Sequence, residues 1–408
     1  MDKIDLSLAQ GRVQGYCDPR FVDVLDVFAQ NFKQRGELGA SVCISVEGKT
    51  VVDLWGGLRS SSGEPWEEDT LCVVFSCTKG ASALCAHMAA DRNLLDLDAP
   101  VTRYWPEFGQ NGKEEARVSM MLDHSVGLPT LHEPTPDGAA YDYAYMCERI
   151  AAERPFWKPG ARNGYHPFTF SWTVGEMVRR STQRRLGRFF ADEVAGPLGL
   201  NFWIGLPEAQ EHRVAPVVLA KADTNSRIMR AAMADVEGPA AKLVNSMGGF
   251  NANAREARAA EVGGANGVSN ARGLARMYEA LANGGRIRGV QLIGKDTLSR
   301  IGRVSVASHE DALMAFPTRF SLGFMKSFDN RKLENSDCSS VILGEQAFGH
   351  VGQGGSIGFA DPECRLGFGY VMNRLGAGML LNDRGQSLVD AAYRALGYRS
   401  NVSGAWTF

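Results

Sequence analysis

The chain has 408 residues, 44% of them hydrophobic and 22% charged, with a net charge of −2. That length supports a large core in two or three lobes, and the near-balanced charge without a basic run excludes nucleic acid or an anionic membrane as the main partner. A small-molecule ligand is the expectation. Residues 1–20, MDKIDLSLAQGRVQGYCDPR, hold no apolar stretch of signal-peptide length, and no run elsewhere approaches membrane-spanning length. The reading is a soluble, cytoplasmic protein. The eight cysteines, Cys17, Cys43, Cys72, Cys77, Cys85, Cys147, Cys338 and Cys364, form no C-x-x-C pair and read as reduced, buried thiols.

Across 21–34, Phe21, Val24, Leu25, Phe28 and Phe32 recur at helical spacing, and Gly36 follows as a stop. ASVCISV and TVVDLWGG then alternate as strands around Glu47-Gly48-Lys49, which predicts an antiparallel hairpin. The run LCVVF leads into Ser76, where a helix begins. Residues 100–265 are rich in loops and helices, with few strands. After Gly267 a clear helix, NARGLARMYEALANGG, is followed by strand-like FSLGFMKSF, SIGFADP and RLGFGYVMN, and the helix LVDAAYRALGY ends the pattern. The expected architecture is α+β: an antiparallel sheet domain from 1–75 and 267–408, a mainly helical domain from 76–266, and an active site between them.

The stretch VVFSCTKG carries the chain's only S-x-x-K, Ser76 and Lys79. At a helix start the serine has a free backbone N–H and the positive end of the dipole beside it, and the i+3 residue shares its face. A lysine acts as base to a serine only when burial lowers its pKa. The competing reading is an ordinary N-cap serine with a solvated lysine.

The context of this pair resembles the superfamily of serine β-lactamases, penicillin-binding proteins and family VIII carboxylesterases. Ser76-x-x-Lys79 is followed by a helix and then by Leu95-Asp96-Leu97-Asp98-Ala99-Pro100-Val101, Tyr104, Pro106 and Glu107. Met121 to Leu128, MLDHSVGL, is similar to that superfamily's L-L-S-H-T-S-G-L, with Asp123 at the usual serine. The resemblance implies a β-lactamase-like fold, a nucleophilic Ser76, Lys79 as base, and a proton-relaying tyrosine, placed at Tyr165 in WKPGARNGYHPF. It also implies a third element at His350-Val351-Gly352, where β-lactamases carry K-T-G, so His350 and Gly352 join the substrate-binding set. The oxyanion hole would be the backbone N–H groups of Ser76 and Gln353. Pro167 stands where β-lactamases have an asparagine, and His350 replaces the lysine that meets a β-lactam carboxylate. Both departures favour uncharged esters.

Rival arrangements carry less weight. Gly354-Gly355-Ser356-Ile357-Gly358 spells a nucleophile elbow, but no helix pattern and no histidine follow it. His124 reads as structural, His87 lies too far along the helix to serve as base, and Cys77 points away around it. Trp105, Phe156, Trp157, Phe168, Phe170 and Trp172 are core candidates that also offer an acyl pocket. No metal or cofactor motif is present. The expected function is a serine hydrolase cleaving small or medium uncharged esters. Acyl transfer, D-amino peptidase or amidase activity and weak β-lactamase activity are alternatives on the same fold, and a non-catalytic scaffold is a further one.

Overall fold

Seven strands form one antiparallel sheet in the computed structural model, which describes residues 1–220, 226–245, 249–333 and 339–408, with backbone alone for 244 and 245. They are β1 (Asp2–Ser7), β2 (Arg12–Cys17), β3 (Gly39–Val46), β4 (Lys49–Gly57), β5 (Phe348–Val351), β6 (Ile357–Asp361) and β7 (Leu366–Met372), in the order β1-β2-β4-β3-β7-β6-β5. The predicted hairpin is β3–β4, turning at Glu47 and Gly48, both at positive φ as a two-residue loop of matching twist requires. The two ends of the chain meet where β3 pairs with β7, from Val46 opposite Leu366 to Ala40 opposite Met372.

Alternation in β7, LGFGYVM, decides how this sheet is covered. One face presents Gly367 and Gly369, which let helix α4 (Ala271–Ala282) approach so closely that a Cβ at Gly369 would lie 2.3 Å from the Ala271 carbonyl oxygen. The other presents Phe368, which stacks on Phe359 at 5.0 Å, and Phe359 in turn faces Tyr393 of α5 (Asp383–Ala395) at 6.2 Å. Helix α1 (Val22–Gln34) packs beside α5. Helix α2 (Thr78–Asp91) is buried from Thr78 through Ala89, built of residues small enough to pass between its neighbours, and it packs on α3 (Phe170–Thr182). The described part of 92–266 is otherwise helices and loops with one short strand, Phe202–Trp203.

One local expectation is corrected, and two strand pairings have no counterpart in the sequence reading. The β1–β2 hairpin was not foreseen, because β1 is an edge strand with no fully buried side chain and so no apolar period to read. FSLGFMKSF is not a strand: only Phe320 belongs to one (Thr318–Phe320), and the remainder is a buried loop turned by Gly323 at φ +92°, with Met325 bridging to Gly349 and Phe328 to Val341. Its apolar spacing records burial rather than extension. Cys72–Val73 pairs with Val268–Ser269, which also pairs with Phe202–Trp203, in a separate three-stranded sheet.

Seven cysteines are free thiols, six of them buried, and Cys338 lies outside the described residues. Among the described residues no helix is long and apolar enough to cross a membrane.

Candidate active site

Ser76 lies in a single 3₁₀ turn, Phe75–Cys77, that runs straight into α2. Its hydroxyl caps no helix N–H, so the N-cap reading fails. The turn is strained: Phe75 sits at φ +45°, costly for a bulky side chain and characteristic of functional turns. Thr78 Oγ1 holds it by donating to the Phe75 carbonyl and accepting the Gly267 N–H at 2.8 Å.

Lys79 is fully buried one turn along, with Nζ 3.2 Å from Ser76 Oγ. Nζ also donates to two carbonyl oxygens, of Pro167 and Gly264, each at 2.8 Å. No carboxylate lies within ion-pair distance of it among the described residues. Burial therefore drives its pKa well below the usual lysine value. Sequence reasoning missed both carbonyls. Pro167, expected only as a lost asparagine, contributes through its backbone. At Gly264 the glycine pair 263–264 was a usable signal, since a Cβ there would sit 3.3 Å from Nζ.

Tyr165 is buried, its ring 4.8 Å from Lys79 Nζ and its phenol beside the Ser76 hydroxyl, which favours the phenolate against burial. Burial raises its pKa above the ordinary tyrosine value, so the phenol stays protonated. The ring is wedged between His124, at 4.9 Å, and Phe320, at 6.0 Å. Its backbone N–H is taken by Asp311, a buried carboxylate that also accepts the N–H groups of Leu313 and Met314, both at 2.9 Å. Asp311 gave no sequence signal, standing alone in a loop far along the chain.

His350 lies on β5 with its ring 6.0 Å from that of Tyr165. Its Nδ1 is 2.8 Å from the Val351 carbonyl oxygen, and burial, with Lys79 adding repulsion, pushes its pKa down to about 3. The loop after it is sewn to the Ser76 turn, because Ser356 Oγ donates to the Val74 carbonyl at 3.3 Å and Gly352 leaves no room for a Cβ against that same oxygen. Gly354 and Gly355, at φ +82° and +112°, turn the chain there and leave the Gln353 N–H without an acceptor among the described residues. The structure thus gathers Ser76, Lys79, Tyr165 and His350, with the Gly352–Gln353 backbone alongside.

The rival groups are elsewhere or inert. Ser356 is buried in the β5–β6 hairpin, between two strands rather than before a helix. Cys77 donates its thiol to the His350 carbonyl at 3.3 Å, and burial pushes its pKa up to about 12. His87 is buried against Leu322, and His124 accepts the His166 N–H through Nδ1 at 3.2 Å. Asp123 bonds the Ser125 hydroxyl at 2.6 Å and that of Ser305 at 2.8 Å, a structural tie. Trp105, Phe170 and Trp172 are core residues, whereas Phe156, Trp157 and Phe168 are half-buried.

Comparison with known proteins identifies the family of the chain. The β-lactamase family model matches residues 26–393. The esterase/β-lactamase LipL of Mycobacterium tuberculosis is 35% identical over 380 residues, covering 91% of this chain and 85% of that protein. A crystal structure of a family VIII carboxylesterase superposes with a TM-score of 0.81 at 38% identity, over 94% of this chain and 99% of the other. A penicillin-binding protein homologue from Caulobacter crescentus gives 0.82 at 32% identity, over 94% and 99%. On the strength of a family match across most of its length and relatives above 30% identity, the chain belongs to the β-lactamase family.

Proposed function

We propose that this chain is a serine carboxylesterase that cleaves small or medium uncharged esters through an acyl-enzyme on Ser76. The observation that carries the reading is the environment of Lys79 Nζ. A neutral amine has two N–H bonds, and the Pro167 and Gly264 carbonyls accept both, so the remaining lone pair faces Ser76 Oγ at 3.2 Å. Lys79 takes the hydroxyl proton as Ser76 attacks the ester carbonyl, and the Tyr165 phenol, beside Ser76, passes a proton to the leaving alkoxide. The backbone N–H groups of Ser76 and Gln353 receive the oxyanion. Water then releases the acyl group by the reverse proton path.

Support comes also from the relatives, which include an esterase/β-lactamase and a family VIII carboxylesterase. β-Lactam hydrolysis is the second reading that the mycobacterial relative's name favours. The neutral His350 weighs against it, since an uncharged imidazole does not attract a carboxylate as a lysine would.

The test is hydrolysis of p-nitrophenyl butyrate by the wild type, Ser76→Ala and Ser356→Ala. Turnover lost only in Ser76→Ala is the expected result. Activity retained by Ser76→Ala would overturn the assignment.

A further inference from the structure

Four nitrogen bases crowd the candidate site, and burial disfavours the charged form of each: Lys79, His124 and His166 are pushed down alongside His350. None of the four is therefore a ready counter-ion for an anionic substrate buried beside them. His350 adds a more specific feature. It shares a sheet face with Phe348, which packs on Phe324 at 5.3 Å, so its ring points to the side of the sheet where Lys79 and Tyr165 lie. A carbonyl oxygen only accepts hydrogen bonds, so the contact of Nδ1 with the Val351 carbonyl fixes the proton on Nδ1. Nε2 is left with a lone pair, buried and without a hydrogen-bond partner among the described residues.

We propose that His350 Nε2 is a hydrogen-bond acceptor for the substrate, and that the preferred esters are uncharged molecules bearing a hydroxyl or N–H group close to the scissile ester. This rests on the esterase reading. A donor on the substrate removes the standing penalty of the unpaired lone pair, whereas an ether, a methyl group or a carboxylate leaves it unpaired or adds repulsion. The polarity of this position is the reverse of a lysine's, and it selects for the opposite kind of substrate group.

The experiment compares two substrate pairs that differ by one methyl group: ethyl 3-hydroxybutanoate against ethyl 3-methoxybutanoate, and 2-hydroxyethyl butanoate against 2-methoxyethyl butanoate. Ethyl butanoate is the plain reference. In the wild type the hydroxyl member of at least one pair is expected to have a kcat/KM roughly five- to tenfold higher, the worth of one neutral hydrogen bond. His350→Phe, which keeps a ring but no acceptor, is expected to bring that ratio to about one, whatever its absolute rate on either member of a pair. His350→Gln, whose amide oxygen can accept, restores part of it, and His350→Leu repeats the acceptor-free test if the Phe variant does not fold. Equal turnover of both members in the wild type, or a preference that survives loss of the acceptor, would overturn the inference. Failure of the wild type on all five esters would instead overturn the esterase reading and this inference with it.

Discussion

Asp311 receives the backbone N–H of Tyr165 on both carboxylate oxygens, each at 3.0 Å, across 146 positions of sequence. A buried carboxylate is thus spent on holding the tyrosine's loop rather than on contact with Ser76, and it is a positioning residue. Asp311→Asn turns an N–H group toward donors that need an acceptor, and about 2 kcal/mol of stability should be lost. We expect kcat to fall about tenfold with KM little changed, because the phenol is displaced while the cleft persists. Thermal melts and steady-state kinetics on the purified variant measure both, and a drop in stability with kcat intact would limit Asp311 to the fold.

Tyr165→Phe deletes the hydroxyl and keeps the ring that packs between His124 and Phe320. The melting temperature should stay close to wild type while kcat drops by a factor on the order of 10²–10⁴. Activity within twofold of wild type would remove Tyr165 from the proton path.

The buried Lys79 makes the pH dependence distinctive. Its neutral form is the base, so kcat/KM rises as pH climbs through the lowered lysine pKa. Burial raises rather than lowers the Tyr165 pKa, so no fall from tyrosine ionisation follows at moderately alkaline pH. A bell-shaped profile with an alkaline limb below the ordinary tyrosine value of 10.0 would contradict this.

Stability carries the same signature with a determined sign. Between the folded-state pKa of Lys79 and the ordinary lysine value of 10.5, the unfolded chain binds a proton that the folded chain does not, so stability increases with pH across that window. The penalty of burying Lys79 is full below the folded-state pKa and vanishes above 10.5. Lys79→Met should therefore abolish turnover yet raise the melting temperature most at low pH, the gain shrinking as pH rises. Denaturation of both proteins from about pH 5 to about pH 10 tests it, and a gain independent of pH would show that Lys79 is not desolvated.

Gly369 is a packing test away from the site. A Cβ there meets the Ala271 carbonyl at 2.3 Å, backbone that cannot move aside without shifting α4 off the sheet. Gly369→Ala should lose about 1–3 kcal/mol, whereas Gly397→Ala, with open space around its Cβ and a φ of +95°, suffers only the backbone penalty. Equal melting temperatures for the two variants would contradict the close approach.

Sequence alone determined what short-range geometry fixes. The pairing of Ser76 with Lys79 follows from helical i, i+3 spacing, the β3–β4 hairpin from two strands joined by Glu47 and Gly48, and α1, α4 and α5 from their apolar periods. The motifs around Ser76 added Tyr165 and His350, which the structure brings to the same place. Patterning failed where its premise fails: β1 has no buried face to show, and the loop 321–328 buries apolar residues without being extended. Only the tertiary structure decided the chemistry of the site. Ionisation and hydrogen-bond supply depend on what surrounds an atom, and the Pro167 and Gly264 carbonyls and the Asp311 carboxylate come from segments 88 to 185 residues from the group they act on, while the burial of Lys79 and His350 is encoded by no local pattern.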